Sequence, residues 1–133
     1  MATLKLPEEN IMGSHIFVTK GWTKAKKAKA AKEKARVVVK AVKTFTGFEG
    51  EGYEASVYLD GKRIGSALDD ANGWPLQLFG ISDVNERRLK AVAAAQPKWI
   101  LDPDKVEIDP EDNEPMDYDV DMLIEDKVNE YLD

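Results

Sequence analysis

Carboxylates and lysines are the groups in this chain best supplied for chemistry. There is one histidine, His15, and no cysteine. The missing cysteines exclude disulfides, thiolate nucleophiles and cysteine metal sites, and they suit a reducing cytoplasm. Histidine is the usual acid–base catalyst, but His15 lies in a poorly patterned segment with no titratable partner close in sequence. No serine sits in a nucleophile-elbow context. The glycines at 47, 50 and 52 lack the lysine and helix start that a phosphate cradle needs, and Glu49 and Glu51 would repel a phosphate. The acidic runs "DDANG" and "DPDKVEIDPEDNE" miss the acid, glycine and glutamate spacing of a calcium loop. Asp60, Asp69 and Asp70 are the only carboxylates near the centre that could face a two-metal site, and a turn explains Asp60 better. The expectation is therefore no metal, no cofactor and no enzymatic site.

Two stretches carry the binding hypotheses. The first is the loop "DDANGWP", with Asp69, Asp70, Asn72, Gly73 and Trp74 as candidate partner-contact residues. An aromatic at a loop tip is a good anchor for a protein partner. More commonly such a tryptophan folds back over the sheet edge into the core, and that is the expectation for Trp74. The second is the lysine run from Thr23 to Arg36, with Lys24, Lys26, Lys27, Lys29, Lys32, Lys34 and Arg36. Such a run can neutralise phosphates without reading sequence, although only Trp22, at its edge, could stack a base. Its commoner roles are solvation and pairing with the chain's own acidic tail. Acids crowding the last segment (Asp117, Asp119, Asp121, Glu125 and Asp126) would also suit a helix start. A solvated acidic helix is their commoner explanation than imitation of DNA phosphates.

Charge is sharply polarised along the chain. Residues 1–43 hold 11 Lys/Arg against 3 Asp/Glu, residues 44–101 hold 6 against 8, and residues 102–133 hold 2 against 14. The blocks are thus +8, −2 and −12, which bears on partners more than on fold. No apolar run reaches the roughly 20 residues of a membrane span. Pro7, Glu8, Glu9 and Asn10 interrupt any secretory signal pattern. A soluble protein acting in the cytoplasm is expected.

The elements that must position these residues can be read from spacing. Alanine and lysine favour a helix after Thr23, its candidate N-cap, but with no bulky apolar stripe to anchor it, so a frayed, solvated helix or a flexible arm is expected. Residues 16–19 suit a short strand. "RVVVKAVKTF" is β-branched and predicts a strand. "YEASVYL" alternates, with Tyr53, Ala55, Val57 and Leu59 on one face. Asp60-Gly61 is a strong two-residue hairpin signal, and "KRIGSAL" returns as its partner. "LQLFGI" is a fourth strand candidate and "KVEI" a short edge strand. A helix spans 82–96, capped by Ser82 or Asp83 (Asp83 and Glu86 fit a capping box), with an apolar stripe of Val84, Leu89, Val92 and Ala93. A C-terminal amphipathic helix offers Val120, Leu123, Ile124, Val128, Tyr131 and Leu132. The expected fold class is α+β: a small antiparallel sheet of three to four strands with one packed helix, plus a C-terminal amphipathic helix. The expected divisions are a basic arm at 1–35, a core domain at 36–101 and an acidic tail at 102–133.

The stretch from Gly47 to Gly73 resembles a pattern found in small bacteriophage accessory proteins. The matching residues are Gly47, Glu49, Gly50, Asp60, Gly61, Lys62, Gly65, Asp69, Asp70 and Gly73. The chain departs from the pattern at Trp74, where a second glycine is expected. The resemblance implies a phage accessory gene with a role in host takeover or counter-defence, and assigns no catalytic residue. Together these readings predict a non-enzymatic binding protein that occupies a host or phage protein, with nucleic acid as the alternative partner through the lysine run and no contact with a membrane.

Overall fold

The computed structural model describes residues 11–12, 15–48 and 50–133. The fold is α+β. Four antiparallel strands, β3 (Val37–Gly47), β4 (Gly50–Leu59), β5 (Lys62–Asp69) and β6 (Gln77–Phe79), form one sheet in chain order. A smaller sheet joins β1 (Ile11–Met12), β2 (His15–Phe17) and β7 (Trp99–Leu101) in the order β1-β2-β7. The helices are α1 (Lys24–Lys34), α2 (Asp83–Ala94) and α3 (Val120–Leu132), with a 3₁₀ turn at Pro110–Asp112.

Alternation in β4 sends Tyr53, Ala55, Val57 and Leu59 into the core, as their spacing requires. Asp60 and Gly61 both take positive φ, 52° and 83°, which closes the β4–β5 hairpin in the way an Asp-Gly turn favours. β3 is an edge strand, and a bulge between Lys40 and Lys43 puts Ala41 at φ 55°. Such a bulge, flanked by two lysines, blunts an open sheet edge against pairing with other chains.

α3 lies on β3 and closes the core. Its Leu123 and Ile124 are fully buried beside Val37, Val57, Leu89 and Val92. Truncating either to alanine would cost on the order of 2–5 kcal/mol. The buried face of α3 is Met122, Leu123, Ile124 and Val128, whereas Tyr131 and Leu132 are half exposed. In α2 the expected stripe is buried at Leu89, Val92 and Ala93, while Val84 stays out. Ser82, rather than Asp83, caps α2 by accepting the Asn85 N–H at 3.2 Å.

The expected edge strand at "KVEI" does not form. The Lys105 and Val106 N–H groups instead turn back to the Asp102 carbonyl. The nearby strand is β7, and Asn113 extends it by bonding both the N–H (2.9 Å) and the C=O (2.8 Å) of Leu101. The expected divisions at 35 and 101 are crossed by tertiary contacts: β2 pairs with β7, α1 packs on α2, and α3 covers the sheet.

Gly65 sits in a β4–β5 bulge at φ 156°, and a β carbon there would overlap the Phe79 carbonyl and the Ile81 side chain. Gly65→Ala is therefore expected to destabilise the fold by about 2 kcal/mol. Urea unfolding should show a lowered midpoint with an unchanged slope.

Candidate functional site: two aromatic loop tips and a charged groove

The loop after β5 builds itself from its own polar side chains. Asp69 accepts the Ala71 N–H at 3.0 Å and Asp70 accepts the Asn72 N–H at 3.0 Å. Ala71 and Gly73 adopt positive φ, 60° and 82°. These are the local turns that Asp and Asn favour. Asn72 then accepts the Phe48 N–H at 3.4 Å, tying the loop to the β3–β4 turn. The two tips also touch directly, since a β carbon at Gly47 would lie 2.7 Å from that of Ala71. Phe45 lies against Gly52, where a β carbon would come within 2.6 Å of its ring.

This packing settles the Trp74 question against the core placement. Trp74 is 67% exposed and Phe48 is 97% exposed. Of the loop residues singled out from sequence, Asp69 and Asp70 shape the backbone, Asn72 joins the tips, and Gly73 and Trp74 face solvent. Sequence reasoning missed Phe48, because its signal, an aromatic between glycines, reads equally as a buried turn residue. Glu49, part of the phage-like pattern, lies outside the described residues.

The lysine run forms α1 and is docked, not frayed. Thr23 caps it by accepting the Lys26 N–H at 3.1 Å. Ala30 is buried, and Gln96 just past the α2 end donates to the Ala30 carbonyl at 2.9 Å. Lys34 pairs with Asp126 of α3. Arg36 grips Asp60 with two bonds of 2.9 Å and Glu33 with one of 2.8 Å. That grip holds the Asp60 carboxyl below its usual range. Lys34 and Arg36 are thus committed within the fold, while Lys24, Lys26, Lys29 and Lys32 face solvent and Lys27 is half-buried. Beside them opens a groove of about 860 Å³, reached by Lys20, Trp22, Lys26, Lys90 and Lys98. Lys20, Lys90 and Lys98 lie outside the run, so sequence spacing did not connect them.

A second cluster gathers around Tyr53. Its hydroxyl is held neutral far beyond the ordinary range by burial, and by the charges of Glu125, Asp69 and Asp121. Partial desolvation raises Glu125, followed by Asp69, Asp126 and Asp121, against an opposing effect of His15. Desolvation and Asp119 raise Asp121, while a hydrogen bond from the Leu76 backbone lowers it. Both carboxylates keep solvent contact, which limits the shifts. His15 packs edge-on against Trp99 at 4.3 Å. Among the described residues no group of three or more histidines and acids is arranged to hold a metal.

No known protein family, curated protein or solved structure matches the chain.

Because Glu125 and Asp121 are raised, the folded chain holds their protons more tightly than the unfolded chain does. Stability from this cluster should fall as pH rises from about 4, the ordinary carboxylate value, toward neutrality. Melting temperatures measured across that interval should decline, and Glu125→Gln should flatten the decline and raise the value at pH 7.

Proposed function

We propose that the chain is a non-enzymatic binding protein that occupies a host or phage protein through the loop end of its four-stranded sheet. The observation that carries this reading is the pair Phe48 and Trp74, two exposed aromatics on separate tips locked together by Asn72 and by the Gly47–Ala71 contact. Large exposed aromatics are costly to leave in water and are the residues that most often dominate protein interfaces. Holding them on a pinned loop also lowers the ordering cost of association. The phage-like pattern around the same hairpin supports a host-takeover or counter-defence inhibitor working in the host cytoplasm.

Affinity capture from bacterial lysate with nuclease present should return one protein in stoichiometric amount. The double variant Phe48→Ala/Trp74→Ala should lose that protein, with each single change weakening capture roughly 30-fold or more, the level of a hot-spot residue. Its melting temperature should stay within about 2 °C of the unaltered chain, as expected of surface changes. Retention of the partner by the double variant would refute the assignment of this surface.

A further inference from the structure

The charged groove is assembled from three segments of different character. Residues 18–26 bring Lys20, Trp22 and Lys26. The C-terminal half of α2 and the turn beyond it bring Lys90 and Lys98, with Ala93 and Ala94 as apolar lining. Residues 115–121 bring every carboxylate: Asp117, Asp119 and Asp121. So the lysines come from two segments and the acids from the third.

The two signs are not equally available. Asp117 sits 3.6 Å from Lys98. Asp119 caps α3 by accepting the Met122 N–H at 2.9 Å. Asp121 takes the Leu76 backbone bond. Asp119 and Asp121 are thereby held in place, while the Asp117 carboxylate is exposed beside an exposed Lys98, and all three keep lone pairs for further donors. Lys20 and Lys90 are exposed and make no ion pair among the described residues, and Lys26 lies over the Trp22 ring at 4.2 Å. The uncommitted charge is positive, an indole stands beside it, and carboxylate acceptors lie across the third segment.

We infer that this groove binds single-stranded nucleic acid. The phosphates would meet Lys20, Lys26 and Lys90, a base would stack at Trp22, and exocyclic amines of bases would donate to Asp117 and Asp119. Nucleotides have this polarity, an anionic backbone on one side and amine donors on the other. A duplex ties one hydrogen of each amine into base pairing, stacks its bases away from the indole and would set a second row of phosphates against the aspartates. A peptide of glutamates alone would satisfy the lysines but has no flat face for the indole. Thymine lacks an amine, so cytosine runs should bind better than thymine runs. This site is separate from the Phe48–Trp74 surface and stands or falls independently of it.

The test is fluorescence anisotropy of the full chain with labelled 12-nucleotide oligo(dC), oligo(dT) and a 12-base-pair duplex, over a series of KCl concentrations. Oligo(dC) should bind tightest and lose affinity steeply with salt. Lys20→Ala/Lys90→Ala should weaken it roughly tenfold or more and reduce the log–log salt slope by about 1.4, two single-strand phosphates' worth. Trp22→Ala should cost roughly 5- to 100-fold on the single strand. Both lysines are exposed, so an unchanged melting temperature will show the variant folded. Any one of four results overturns the inference: no binding of oligo(dC) at low salt, equal or tighter binding of the duplex, no effect of the lysine pair, or equal binding of a poly-glutamate peptide.

Discussion

The ion pair between Lys34 and Asp126 holds the molecule's two charged ends in one structure. It joins the last turn of α1 to the middle of α3, and both side chains are largely withdrawn from water. Asp126 also accepts the Tyr118 hydroxyl at 2.9 Å, and the Lys34 ammonium lies 5.3 Å from the Phe17 ring and 5.2 Å from that of Tyr118. Phe17 and Tyr118 touch each other with centroids 5.5 Å apart. Burial and the Asp126 charge keep the Tyr118 hydroxyl protonated well beyond its ordinary range. A lysine withdrawn from water is tolerable only with such a partner, because an unpaired one carries an uncompensated desolvation penalty.

This junction decides what the N-terminal charge can do. α1 has a thin apolar face, with Ala30 as its buried residue. Packing alone would hold such a helix poorly. Lys34 and Arg36 fix its C-terminal end, the Gln96 amide fixes its middle, and Thr23 starts it beside Trp22. The outcome is that Lys26 is presented at a groove rather than on a free arm. At the other end of the sheet, the same economy of local bonds ties the Asp69–Pro75 loop to the β3–β4 turn, with Trp74 of the loop and Phe48 of the turn outside. Two surfaces of opposite chemistry, one apolar and one charged, are thereby presented by one small fold.

Much of the fold was legible in the sequence. Strand alternation at Tyr53–Leu59, the Asp-Gly turn, the Thr23 and Ser82 caps and the Leu123–Ile124 face are local signals, and local signals survive folding. What failed was tertiary. "KVEI" has strand-like residues, but the Asp102 carbonyl captures its first N–H groups. The lysine run lacks an apolar stripe, yet a partly buried ion pair, invisible to periodicity, docks it. Trp74 is expected inside from sequence but stands exposed, in a loop that Asn72 ties to a turn 24 positions earlier, a contact that local spacing does not show. The groove lysines come from separate places in the chain, and no spacing rule connects Lys20 with Lys90 and Lys98.

The most direct test of this arrangement is a double-mutant cycle on Lys34→Met and Asp126→Asn, read by urea unfolding. Each single change should destabilise the chain by about 3 kcal/mol, since each leaves the other charge largely withdrawn from water without its ion partner. The double variant should lose much less than the sum, giving a coupling of roughly 2 kcal/mol. Additive losses, with coupling within about 0.5 kcal/mol of zero, would mean that the pair does not anchor α1 and that the basic and acidic ends are held together by something else.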